Sequence, residues 1–173
     1  MDKTLIITIL SPILITVGGL ITWFFKSKRE DTLIAEEKTR EFKIKTYETL
    51  LEPFITVFTF TLKENQKQKG INKLLSLEYR KAAFNLTTFG SDEVVKSYNN
   101  IMQAFFNIKA EDYEDEGEGE EYAVIMLTYL SDLLLNIRKD LYTKKTDLAR
   151  SEMLAFMIND IEKHKNRIDN EKI

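Results

Sequence analysis

The chain carries no charged residue from Leu5 to Phe25, a run of 21 residues. At a helical rise of ~1.5 Å per residue, that run reaches across ~30 Å of hydrocarbon, so the sequence predicts a transmembrane helix within residues 1–25. A cleaved signal peptide would show a shorter apolar core, more positive charge ahead of it and a small-residue cleavage site behind it. Here only Asp2 and Lys3 precede the run, whereas Lys26, Lys28 and Arg29 follow at once. Basic residues collect on the cytoplasmic side of a span, which predicts a single-pass inner-membrane protein with residues 26–173 in the cytoplasm. Trp23, Phe24 and Phe25 stand beside those bases, where amphipathic rings favour the headgroup layer.

Placed at 100° per residue, Thr4, Thr8, Ser11, Ile15, Gly18 and Thr22 fall within about 40° of one line. Two readings fit this stripe of small and polar residues. Small side chains let helices pack closely, and Thr or Ser hydroxyls bond their own backbone four residues back. Alternatively, several copies turn the stripe toward a shared axis and line a lumen, with Ile15 as its hydrophobic constriction.

The remaining composition narrows the chemistry. There is no cysteine and one histidine, His164, which excludes disulfides, thiolate chemistry and any site needing two His ligands; neither a metal nor another cofactor is expected. Two prolines and six glycines are too few for a turn-dense β architecture, and neither dinucleotide nor phosphate-loop glycine spacing occurs. The formal net charge of -3 gives no global bias toward nucleic acid.

Residues 26–45 mix charges of both signs with few apolar positions, as suits a solvated helical neck. Residues 46–173 then read as an antiparallel helical bundle. Ile44, Tyr47, Leu51, Phe54, Phe58 and Leu62 recur at helical spacing with Pro53 as a kink, and Asn65–Gly70 reads as a loop. Leu75, Tyr79, Ala82, Leu86 and Phe89 form a second stripe, ended by Gly90 as a left-handed cap. Ser91 caps the next helix, which buries Val94, Val95, Tyr98, Ile101, Met102, Phe105 and Ile108. Two more are expected over about 122–145 and 151–168.

Between these helices an acidic loop is expected over residues 109–121, where Glu111–Glu121 holds eight acids and no base. Removing those acids takes the net charge from -3 to +5. Asp112, Glu114, Glu116 and Gly117 match calcium-loop positions, but Ala123 occupies the place of the bidentate Glu, so a solvated loop is the expectation. The bases Arg138, Lys139, Lys144, Lys145, Arg150, Lys163, Lys165 and Arg167 alternate with acids, which fits a surface of paired charges. A guide-RNA or protein-docking patch is the alternative, so direct nucleic-acid binding stays open.

Asn159, Asp160 and His164 have the spacing of the Arg-to-His motif of the HEPN nucleases. Asn159 stands where those enzymes use Arg, which removes the bidentate cation that steadies developing negative charge. An N-terminal span, a helical domain of about 150 residues and this degenerate motif together resemble the small membrane accessory proteins of type VI-B CRISPR-Cas systems. The resemblance implies a HEPN-like all-α fold in the bacterial inner membrane. It also implies a homo-oligomeric pore that acts with an RNA-guided effector nuclease in antiphage defence, with no catalysis of its own. A membrane-tethered RNase, or an adaptor recruiting a cytoplasmic partner, are the alternatives.

Overall fold

The computed structural model describes residues 3–58, 64–107, 116–142, 146–158 and 160–170, with side chains described for 18–56, 68–107, 121–142, 146–158 and 160–170. Among the described residues the chain is wholly helical, as expected. The helices are α1 (Lys3–Phe58), α2 (Glu64–Leu74), α3 (Leu77–Phe89), α4 (Asp92–Asn107), α5 (Glu116–Leu141), α6 (Arg150–Leu154) and α7 (Ile161–Asn170). The chain divides into two compact units, Met1–Phe42 and Lys43–Ile173.

The expected membrane span is corrected by the helix that contains it. Among the described residues no helix is long and apolar enough to cross a membrane. Lys26, Lys28 and Arg29 lie within the same helix as the uncharged run. The transmembrane part of the predicted fold and the single-pass inner-membrane placement are both overturned on this ground. From Gly18 to Phe42 only Ser27 is less than exposed, whereas Lys43, inside the neck expected over 26–45, is half-buried.

The second unit is held by a continuous apolar core. Tyr47, Leu50 and Phe54 of α1 enter it with Tyr79, Ala82 and Leu86 of α3 and Val94, Tyr98 and Ile101 of α4. Val124, Leu127, Leu130, Leu133 and Ile137 of α5 recur at three and four residues, the spacing that keeps one helical face inward. Helix α5 packs against α4, α6 and α7. Asn136 near its C-terminal end donates to the Glu93 carbonyl in the first turn of α4 at 3.5 Å, which places these two helices antiparallel.

Several local expectations change. Asn65–Gly70 belongs to α2, because its Gln and Lys residues are good helix formers and Lys73 at its end pairs with Glu52 of α1. Helix α1 continues through Pro53. Leu75 and Phe89, expected inside, are 63% and 47% exposed, whereas Ser76 caps α3 by accepting from the Tyr79 N–H at 3.1 Å. Gly90 ends α3 with φ -75° and ψ 158°, an extended rather than left-handed cap. Its N–H donates to Leu86 O at 2.8 Å, and a Cβ there would lie 2.7 Å from that oxygen; close approach is what requires glycine. The Ser91 hydroxyl accepts from the Val94 N–H at 3.4 Å, as the sequence predicts.

The acidic stretch starts outside the described residues, but Glu116–Glu121 already belongs to α5, so the loop expected to run to 121 ends sooner. The helix expected over 151–168 is two short helices. Asn159 and Asp160 follow Ile158, and short polar side chains of this kind compete with the helix ladder for backbone groups. After the break Lys163 N–H bonds Asp160 O at 3.0 Å.

Candidate functional site

Of the HEPN-like residues, the two that are described, Asp160 and His164, do not share one helix. Asn159 lies outside the described residues, Asp160 is exposed in the turn before α7, and His164 is half-buried within α7. Asp160 faces Lys163 at 3.6 Å, an exposed i,i+3 pair of small energetic weight.

Three of the basic residues near the C-terminus, Arg150, Lys163 and Lys165, are drawn into pairs. Arg150 is the most engaged: Nε donates to Asp132 Oδ1 at 2.6 Å, Nη2 to Oδ2 at 3.3 Å and Nη1 to the Ile168 carbonyl at 3.2 Å. One guanidinium therefore joins α5, α6 and α7, a use for which its planar fork is suited. Beside it the Ser151 N–H and hydroxyl both donate to Asp169, each at 2.9 Å. Lys165 faces Glu162 at 3.9 Å. Charge pairing is what the structure assigns to Arg150, Lys163 and Lys165.

Two further polar groups were not legible in sequence. Lys43 of α1 donates to both oxygens of Asp140 at 2.9 Å, and the Tyr47 hydroxyl donates to the same carboxylate. Burial, then the Asp140 hydrogen bond, pushes the Tyr47 phenol far above its ordinary range. In the core, the Tyr98 hydroxyl donates to the Tyr79 hydroxyl at 3.2 Å, and burial again raises both phenols. These clusters fasten helices together. Lys43 and Asp140 are 97 positions apart, so no local spacing announces them. Among the described residues no group of three or more His, Cys, Asp or Glu is arranged to hold a metal ion.

The first unit holds a different kind of surface. Leu20, Ile21, Trp23, Phe24 and Phe25 are between 50% and 68% exposed and line an open apolar crease. At 100° per residue they span about 200° of the helix surface, a broad face rather than a narrow stripe. Phe24 and Phe25 meet edge to face with ring centroids 6.1 Å apart, and the Lys28 ammonium sits over the Phe24 ring at 5.0 Å, within cation–π range. Lys26 faces Glu30 at 3.9 Å. Of the stripe expected to line a pore, the side chains of Thr4, Thr8, Ser11 and Ile15 lie outside the described residues. Gly18 and Thr22 are exposed, and the Thr22 hydroxyl donates to the Gly18 carbonyl at 2.8 Å, the backbone bond by which such a residue satisfies itself without water.

No known family model, no curated protein and no solved structure matches the chain.

Proposed function

We propose that this chain is a non-enzymatic adaptor, in which the helix of the first unit provides attachment and the bundle of the second unit engages a protein partner. The observation that carries this reading is the apolar girdle Leu20–Phe25, five large side chains at least half exposed on one helix. A patch of that kind marks an interaction surface. The bundle supports the same reading, since Arg150, Asp132, Asp169 and Asp140 are spent on interhelical bonds. The protein partner implied by the type VI-B resemblance is an RNA-guided effector nuclease. The pore attached to that resemblance is not carried forward, because it requires the span. The RNase alternative ranks lower, since Asn159 offers no cation to a phosphate and Asp160 faces Lys163.

The test is fractionation of cells producing the full chain or a Trp23→Ala, Phe24→Ala, Phe25→Ala variant. The reading expects the parent in assemblies or particulate material, the variant as free chain, and equal melting temperatures for the two bundles. Identical fractionation refutes it. Purified chain that cleaves single-stranded RNA, with the activity lost in His164→Ala, puts the RNase reading in front instead.

A further inference from the structure

The girdle Leu20–Phe25 has no base or acid within it, and three bases, Lys26, Lys28 and Arg29, follow before the first acid, Glu30. Apolar bulk and positive charge therefore meet at one level of the helix. The apolar side chains span about 200° of the helix surface, wider than the strip a single partner helix covers. A lipid surface in which the helix is seated covers a face of that width at once. The Trp23 ring has the amphipathic character that favours the headgroup layer of a bilayer, and Lys28 is already held over the Phe24 ring, its charge beside the apolar surface rather than away from it. The Lys26–Glu30 contact is no obstacle: its two side chains are 73% and 61% exposed, and an anionic headgroup can replace so weak a pair.

We infer that residues 20–29 seat the protein on an anionic lipid surface, with Trp23, Phe24 and Phe25 at the headgroup level and Lys26, Lys28 and Arg29 against lipid phosphates and carboxylates. This inference rests on the adaptor reading and names what its attachment helix attaches to. Seating at this level requires no helix that crosses the bilayer. Each base near such a surface strengthens partitioning by about a factor of five, so the three together contribute on the order of 100-fold at low salt.

Trp23 is the only tryptophan, which makes its fluorescence a reporter confined to this site. The purified full chain is mixed with vesicles of phosphatidylcholine alone or of phosphatidylcholine and phosphatidylserine in equal parts, and both cosedimentation and Trp23 emission are read. The expected result is a blue shift with cosedimentation on the mixed vesicles, weakened by salt. A Lys26→Gln, Lys28→Gln, Arg29→Gln variant should bind on the order of 100-fold more weakly. Equal binding to both vesicle types, or cosedimentation with Trp23 emission unchanged, overturns the assignment to anionic lipid through this site. A blue shift that depends on protein concentration and not on vesicles identifies a second copy as the occupant, which overturns the lipid assignment and leaves the adaptor reading standing. Trp23 that stays wet with vesicles and at high protein concentration overturns the lipid assignment, and the fractionation experiment then decides the adaptor reading separately.

Discussion

In an Arg150→Met variant the guanidinium that joins three helices is lost while most of the length of the side chain is kept. Asp132 then loses its paired cation and the Ile168 carbonyl loses a donor. Removing one partner of a fully buried pair costs ~3–5 kcal/mol. Arg150 and Asp132 have side chains 20% and 22% exposed, so water relieves part of the loss and the expected cost is ~2–3 kcal/mol. At about 3–5 °C per kcal/mol for a unit of this size, the melting temperature should fall by roughly 10 °C. Circular dichroism of the full chain reads this directly. An Arg150→Met, Asp132→Leu double variant should recover more than half of the loss, since an apolar pair leaves no orphaned charge. A single-variant drop below about 2 °C, or a double variant as unstable as the sum of the two singles, would show that the guanidinium does not hold these helices together.

Three further outcomes follow from the same packing. Gly90→Ala should lower stability by about 1–2 kcal/mol, because its Cβ would meet Leu86 O at 2.7 Å and Leu86 Cδ1 at 2.8 Å; an unchanged urea midpoint contradicts this. Leu133→Ala should cost ~2–5 kcal/mol at a site 1% exposed, whereas Phe156→Ala, 82% exposed, should stay within about 0.5 kcal/mol. Tyr47, Tyr79 and Tyr98 have folded-state phenols raised above the unfolded value. Their contribution is therefore complete below about pH 10 and is lost as pH rises past it toward the folded values. The urea midpoint should fall there, and tyrosinate absorbance from these three residues should grow only as the bundle unfolds; tyrosinate formed by them in a fully folded bundle would refute the burial argument.

Helical class, the core face of α4 and the Ser91 cap were legible because each rests on short-range spacing. Val94, Tyr98 and Ile101 recur within two turns, and periodicity reads that directly. What escaped depends on contacts distant in sequence or on small energetic balances. Gly90 fits either a left-handed or an extended cap, and only its approach to Leu86 decides between them. The break between α6 and α7 interrupts a stripe, Leu154, Ile158 and Ile161, whose members are all buried, so spacing alone predicted one helix where there are two. The aromatic–basic junction at Trp23–Arg29 was visible from the start as an interface signal. The length of the uncharged run around it led to a span, whereas among the described residues no helix is long and apolar enough to cross a membrane. The pairings of Lys43 with Asp140 and of Arg150 with Asp132 had no sequence signal.

Acrylamide quenching of Trp23 tests the adaptor account most directly, comparing the purified chain with the same chain in the particulate fraction of cells that produce it. The account predicts a freely quenched tryptophan in the purified chain at low concentration and a strongly protected one in the particulate fraction, with protection lost when Lys26, Lys28 and Arg29 are reversed to Glu. Equal quenching in both preparations would mean that the exposed girdle covers nothing and that the first unit is not the attachment helix.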